Sequence, residues 1–449
     1  MNLKSILTSY WFRSAFYSSL QRFSLIFFGF ISFFLLIRSL TVQQMSTWAL
    51  FLTIITLLEN TKTALLKNAH IKYVSGNSVE NERSAIASSS LLINAGITVL
   101  FILLILFAGK QIGLLLNAEQ DLFTIFLWFI PGLIAMIFFA HLEAVQQSHF
   151  DFKGVFAGNL VRQVVFFSAI TFHFFTKKPL QIYLLGIYQS ISIIIGTLVI
   201  FLFTKKYLHF KFNPSLSWIK TITGYGGYIF GTGVVSNLYS NLDQFMTAAI
   251  VPGSVAFYNA AKRINGFIDV PTYAAADIAF PKLSQASANE GLEKIKYLYE
   301  KMVAVILSVI TPAAIVVIVF AKQIIQLIAG ENYLIAAPVL QAYMLISIVG
   351  VLQHQAATTL YSVGKTKLCF IVSSISLLLN LAVTFTCLKI FGFYGAAIGS
   401  LITAVINTTV WILIMRKEVN FTISSIPVYC RQHYQTGYQY IKNIITKNR

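Results

Sequence analysis

Apolar runs of about two dozen residues, broken by short polar interruptions, follow one another along the chain from Ser14 to Met415. A helix needs about 20 predominantly apolar residues to cross the hydrocarbon of a bilayer. The pattern predicts spans near residues 14–37, 45–67, 84–109, 121–146, 154–176 and 180–203, then 222–250, 254–278, 299–321, 333–360, 367–391 and 393–415. Between the two sets of six lies TKKYLHFKFNPSLSWIKT, polar, basic and carrying Pro214. The expected organisation is an amino-terminal six-helix bundle over 1–204, a basic cytoplasmic linker over 205–221, a second bundle over 222–416 and a basic cytoplasmic tail over 417–449. That tail reads as solvated rather than spanning.

Composition agrees. Of 449 residues, 57% are hydrophobic and 11% charged, with a mean hydropathy of +0.74, where soluble domains carry about a quarter charged residues. Lys plus Arg outnumber Asp plus Glu by 33 to 15. In a soluble protein that excess would point to nucleic acid; here cytoplasmic loops account for it, because they accumulate Lys and Arg. With both termini placed in the cytoplasm, 22 of the 33 cations fall on cytoplasmic segments, six on outer segments and five inside spans. This bias supports twelve spans with both ends inside.

The two sets also resemble each other. A shift of 210 positions lays SLTVQQMSTWALF (39–51) on AIVPGSVAFYNAA (249–261), with Trp48 over Tyr258, Glu59 over Asp269 and Lys72 over Lys282. Six spans per repeat is an even number, so both repeats share one orientation. The expectation is all-α, two pseudo-symmetric bundles around a central cavity, as in parallel-repeat transporters.

RSLTVQQMSTWALFLTIITLLENTKTALLKNAHIKYVSG, NLDQFMTAAIVPGSVAFYNAAKRINGFIDVPTYAAADIAFPKLS and the stretch from LIAGENYLIAAPVLQAY through LYSVGKTK to FGFYGAAIGSLI resemble polysaccharide and oligosaccharide flippases of the multidrug/oligosaccharidyl-lipid/polysaccharide exporter superfamily. Together they cover most of residues 10–415. The resemblance implies a transporter of the O-antigen or capsule (Wzx-type) branch in the bacterial inner membrane, moving undecaprenyl-pyrophosphate-linked oligosaccharide from the inner to the outer leaflet. The partners it implies are that lipid, the surrounding membrane lipids and other polysaccharide-assembly proteins, with no nucleic acid. Related lipid II flippases usually have fourteen spans, and this chain leaves no room for two more.

Charges at the centre of a span cost about 2.5–3.5 kcal/mol on insertion scales, so they normally face a cavity or a partner. Arg22 lies near Ser18, Ser19 and Gln21, either lining a cavity or snorkelling. Glu59 and Lys62, three apart, either form a structural ion pair or flank a cavity. Arg162 stands alone in GNLVRQVVFF, and its planar fork suits phosphate oxygens. Lys262 and Arg263 lie about 12–14 Å along the eighth span. Lys262 shares a face with Tyr258 and Asp269, and Pro271 predicts a kink just beyond Asp269.

The candidate substrate contacts are thus Arg22, Lys62, Arg162, Lys262, Arg263 and Tyr258. The candidates for coupling to H+ or Na+ are Glu59, Asp243 and Asp269, with Asp243 alternatively a counter-ion for Lys262 or Arg263. Glu143 and Asp277, near cytoplasmic ends, read as solvated, and His141 and His354 as structural or titratable. Tyr225, Tyr228 and Tyr239, with Tyr258, are candidates for stacking on sugar.

No ATP-binding loop, metal motif or cysteine framework is present in the sequence. The expectation is a transporter working by alternating access, not an enzyme, with no cofactor. A cation-coupled multidrug exporter is the second reading, and a membrane polysaccharide polymerase or glycosyltransferase the third. The deep basic residues argue against the second. The short outer connections, such as VPGS after the seventh span, argue against the third.

Overall fold

The computed structural model describes residues 10–75, 79–149, 151–177, 179–208 and 212–447. Lys4, Lys178, Lys211 and Arg449 of the charge count lie outside the described residues, as do the side chains of Arg22, Tyr225, Tyr228 and Asp277. Among the described residues every regular element is helical. The chain divides into two compact units, Met1–Leu238 and Tyr239–Arg449, and the division falls inside one long helix.

The first unit holds α1 (Tyr10–Ser39), α2 (Val42–Lys62), α3 (Asn68–Ser75), α4 (Glu80–Leu115), α5 (Glu119–Ser148), α6 (Lys153–Thr176), α7 (Ile182–Thr204) and most of α8 (Leu216–Ile250). A capping box starts α2: the Gln44 N–H donates to Thr41 Oγ1 at 3.2 Å, and the Thr41 N–H to Gln44 Oε1 at 3.1 Å. Trp48 stacks between Phe51 and Phe166, with centroids at 5.1 and 5.7 Å, and Phe51 meets Phe126 and Phe129. These large buried rings fix α2 against α5 and α6.

α2 does not run straight into α3. A single π-helical turn, Thr63–Lys67, separates them. The wider turn rotates everything after it, and such turns occur frequently at functional sites.

The carboxyl-terminal part of the linker segment is tied to the first unit. The Asn213 and Ser215 N–H groups donate to Ser88 and Ser89 Oγ of α4 at 3.1 and 3.0 Å. Trp218 Nε1 donates to Glu82 at 2.6 Å, and Ile222 is buried among Leu65, Leu66, Ala69, Val74 and Ile86. The start of α8 is therefore built into the first unit.

In the second unit, α8 is followed by α9 (Val255–Ile268), α10 (Val270–Asn289), α11 (Leu292–Val319), α12 (Ala321–Ala329), α13 (Ala337–Ser362), α14 (Thr366–Phe391), α15 (Phe393–Val419) and α16 (Ser425–Lys447). The kink expected at Pro271 is a full break between two helices: Asp269 ends α9 and caps α10, whose first turn carries the proline. Its core gathers Tyr299, Ile310, Val351, Leu360, Cys369, Trp411 and Met415.

The tail departs from the expectation of a solvated segment. Thr422 N–H donates to Glu300 Oε1 at 3.0 Å, Cys430 Sγ to the Ala304 carbonyl at 3.3 Å, and Tyr434 OH to the Ser308 carbonyl at 2.6 Å. The contacts advance together along both helices, so α16 packs parallel to α11. Apolar Phe421 and Ile426 are buried there, which the tail's mean polarity conceals.

Nine helices among the described residues are long and apolar enough to cross a membrane. They correspond to the second to sixth and the ninth to twelfth expected spans. The eighth expected span is divided by the break at Asp269.

Candidate functional site

A buried charge cluster lies in the first unit, at the π-helical turn. Lys62 Nζ, nearly inaccessible, sits 3.8 Å from Glu59 Oε1 and donates to Thr98 Oγ1 of α4 at 3.2 Å. Thr98 in turn donates to the Asn94 carbonyl, and Asn94 Nδ2 to the Ile137 carbonyl of α5. One turn on, Lys67 Nζ pairs with Glu143 Oε2 of α5 at 3.4 Å. Glu59, Lys62, Lys67, Asn94, His141 and Glu143 line a small cavity of about 30 Å³ with an open mouth.

Arg162 joins this cluster from α6. Its guanidinium lies 5.7 Å from the Phe139 ring, and the charges of both Glu59 and Glu143 act on it. Its Nε is buried with no hydrogen-bond partner. The helix can come this close because Gly158 and Gly196 meet: a Cβ on Gly196 would stand 2.9 Å from the Gly158 carbonyl and 3.2 Å from Arg162 Cβ.

The structure thus brings together Glu59, Lys62 and Arg162 and adds two residues that sequence reasoning set aside. Glu143 is not solvated; its side chain is 16% exposed and paired. Lys67, at the end of the second expected span, is its partner. Neither was legible in the sequence because the π-helical turn shifts the register that joins them.

A second cluster lies in the second unit, around Asp243 of α8. Asp243 Oδ2 accepts from the hydroxyls of Tyr258 and, at 2.9 Å, Tyr343, which also touch each other. Lys262 Nζ reaches Asp243 Oδ1 at 3.5 Å and donates to the Ser240 carbonyl and to Asn241 Oδ1 at 3.4 Å. Tyr258 is wholly buried, so its ring presents no face to a sugar in this structure. Tyr343 carried no signal beyond one more tyrosine in an apolar run.

Asp269 turns elsewhere, although it shares its helical face with Tyr258 and Lys262. It accepts from Asn265 Nδ2 at 2.7 Å, and Asn265 Oδ1 accepts from Ser347 at 2.8 Å. Arg263 lies partly buried on the neighbouring face. Tyr239 OH accepts from Asn407 Nδ2 at 3.0 Å.

Among the described residues, no group of three or more His, Cys, Asp or Glu is placed to hold a metal ion. Cys369, Cys387 and Cys430 are free thiols.

Comparison with known proteins adds the family. In sequence, residues 64–433 match the model of lipid II flippase MurJ. A curated protein of Haloferax volcanii, the probable low-salt glycan biosynthesis flippase Agl15, is 24% identical over 202 residues, which are 44% of this chain and 42% of that protein. The matched stretch therefore spans about two-fifths of that relative.

In structure, lipid II flippase MurJ in an inward closed conformation superposes with a TM-score of 0.77 at 17% identity, covering 93% of this chain and 90% of that one. An inward-facing MATE family multidrug resistance transporter of the MOP superfamily gives 0.77 at 13% identity, covering 92% and 99%. The Vibrio cholerae MATE transporter VcmN in its bent form gives 0.60 at 17% identity, covering 95% and 99%. These likenesses establish the fold, and the sequence model, matching most of the chain, establishes the family. The chain belongs to the lipid II flippase MurJ family.

Proposed function

We propose that this protein is a flippase that carries an undecaprenyl-pyrophosphate-linked oligosaccharide, an O-antigen or capsular repeat unit, across the bacterial inner membrane by alternating access. It works as a multi-pass protein of twelve spans with both termini in the cytoplasm, and it is coupled to H+ or Na+. The observation that carries the reading is Arg162: a guanidinium in an apolar helix, under the charges of Glu59 and Glu143, with a buried Nε left unsatisfied. A pyrophosphate presents paired acceptor oxygens that match a guanidinium fork. Lys62 and Lys67 stand beside it, each held by one carboxylate.

Family membership supports the class of cargo, and the archaeal relative's name places a glycan flippase among proteins of similar sequence. Lipid II itself belongs to the same chemistry and is the first alternative cargo. No bond in the lipid needs to be made or broken, so the function calls for no catalytic group. Arg22, Lys262, Arg263 and Tyr258 complete the proposed set of contacts. Lys262 enters it only on release from Asp243. Glu59, Asp243 and Asp269 are the proposed coupling carboxylates.

The likeness to MATE transporters favours a second reading, a cation-coupled exporter of small drugs. Its discriminating feature is charge: a cationic drug would be repelled by Lys62, Lys67 and Arg162 together.

Leaflet transfer of a fluorescent polyprenyl-pyrophosphate oligosaccharide in proteoliposomes tests both readings. Transfer that is lost in Arg162→Ala supports the proposal. Transfer that survives both Arg162→Ala and the double variant Lys262→Ala, Arg263→Ala refutes the anion site. Export of cationic dyes with no lipid transfer establishes the exporter instead.

A further inference from the structure

Asp243 of α8 has more donors than its ion pair with Lys262 supplies. Its Oδ1 accepts from the Gln244 N–H at 2.8 Å, and its Oδ2 from the hydroxyls of Tyr258 and, at 2.9 Å, Tyr343. A carboxylate offers about four lone-pair sites, so these neutral donors fill most of them before Lys262 is counted. The ammonium stands furthest away, with Nζ 3.5 Å from Oδ1. A well-made charge-assisted N–H···O bond closes to about 2.7–2.9 Å. Lys262 is the loosest partner that Asp243 has.

The two ends of the pair also differ in access. The Asp243 side chain is 9% exposed and that of Lys262 26%. Lys262 is anchored by the Ser240 carbonyl and, at 3.4 Å, by Asn241 Oδ1, both in the same turn of α8 as the carboxylate. An ammonium has three donors, so two can stay on α8 while the third turns away from Asp243. Breaking a buried ion pair is costly when it leaves a charge without partners. Here Asp243 keeps three hydrogen bonds, and Lys262 has the more open position.

We propose that Asp243 is an internal competitor of the cargo's phosphate. It holds Lys262 while no anion is bound, and a phosphate oxygen arriving at the exposed ammonium takes its place. The exchange rests on the lipid-pyrophosphate reading above and adds what sets the strength of the hold. A site that must first give up an internal partner binds with an affinity lowered by the fraction of time that the partner is away. Asp243 also waits beside Lys262 to reclaim it, which speeds release of the anion. A flippase needs both effects, since cargo gripped too tightly never leaves.

Inorganic pyrophosphate is the probe, titrated calorimetrically into the full-length protein in lipid nanodiscs. Asparagine keeps an oxygen for the tyrosine hydroxyls but loses the charge that holds Lys262. Asp243→Asn should therefore bind pyrophosphate about fivefold tighter or more. In a Lys262→Met background the same substitution should change affinity less than about twofold, because no exchange is left to relieve. A second measurement does not need Asp243→Asn to fold. On adding pyrophosphate to wild type, the infrared carboxylate band of Asp243 should move to the position it has in Lys262→Met without pyrophosphate, and in Lys262→Met it should not move.

An Asp243→Asn variant that binds no tighter than wild type, or a carboxylate band that stays in place, would overturn the exchange. An equal gain in the Lys262→Met background would overturn it as well, since removal of a nearby negative charge would then explain everything. Pyrophosphate binding unchanged in Lys262→Met would remove Lys262 from the anion contacts altogether. A wild type that shows the exchange but transfers no polyprenyl-pyrophosphate oligosaccharide would overturn the cargo assignment alone.

Discussion

Tyr343 of α13 donates its hydroxyl to Asp243 of α8 across 2.9 Å, and the same carboxylate oxygen receives Tyr258. Two buried hydroxyls and Lys262 thus converge on one carboxylate. Hydrogen bonds to a charged group contribute about 1.5–3 kcal/mol. Tyr343→Phe removes one of them and leaves the others, so its unfolding midpoint in detergent should fall modestly. Asp243→Ala strands two hydroxyls and an ammonium and should fall much further. Equal losses would show that the network is not organised around Asp243.

Arg162 and its neighbours give the second prediction. Arg162→Ala should reduce lipid transfer at least tenfold, with the unfolding midpoint measured alongside because the guanidinium also packs on Phe139 and faces the charges of Glu59 and Glu143. Arg162→Lys should fail to restore transfer, because an ammonium is a point donor without a fork. Transfer assays with matched protein amounts in the vesicles decide it.

Much of this architecture is written in the chain. Helix positions follow from the lengths of the apolar runs, and a kink just beyond Asp269 from Pro271. What escaped the sequence is register. The π-helical turn after Lys62 leaves no compositional mark, yet it sets Lys67 against Glu143 and so completes the cavity. The repeat was legible as Glu59 over Asp269, but their surroundings differ. Glu59 faces Lys62, whereas Asp269 is held by Asn265. Polarity averaged over a segment misled at the tail, which docks through apolar side chains such as Ile426, and it hid the packing of Trp218 in the linker.

Asp151 predicts an acid-side dependence. Burial pushes its carboxyl up, but hydrogen bonds from Lys206, the Lys153 N–H and Tyr207 outweigh burial and hold it below the ordinary value of 3.8. A group depressed in the folded state contributes stability above its unfolded pKa and loses it as pH falls through the folded value. The midpoint difference between wild type and Asp151→Asn should therefore be constant from neutral pH down to about pH 5 and shrink below pH 4. A difference that grows on acidification would reverse the sign of the assignment.

Two glycines make a controlled pair. A Cβ on Gly395 would stand 2.1 Å from the Cys387 carbonyl oxygen, a backbone atom that cannot turn aside, whereas a Cβ on Gly350 meets nothing within 4 Å. Gly395→Ala should cost at least the 1–3 kcal/mol, roughly, of an overpacked core. Gly350→Ala, within α13, should be neutral or stabilising by up to about 1 kcal/mol through helix propensity. Thermal midpoints of both in one detergent check the contrast.

The docking of α16 on α11 can be read through a thiol. Cys369 and Cys387 are buried, and Cys430 is half-buried with its Sγ on the Ala304 carbonyl. A maleimide should therefore modify Cys430 first and more slowly than a free thiol. The Tyr434 hydroxyl, bound to the Ser308 carbonyl one turn further on, should hold the helix in place. Tyr434→Phe removes a bond worth about 1 kcal/mol. If that bond is lost on undocking, the open population and the labelling rate rise about fivefold. Labelling of wild type at the free-thiol rate would mean that α16 does not rest on α11. Rate enhancement in Tyr434→Phe without loss of the global unfolding midpoint would show that α16 opens as a local unit.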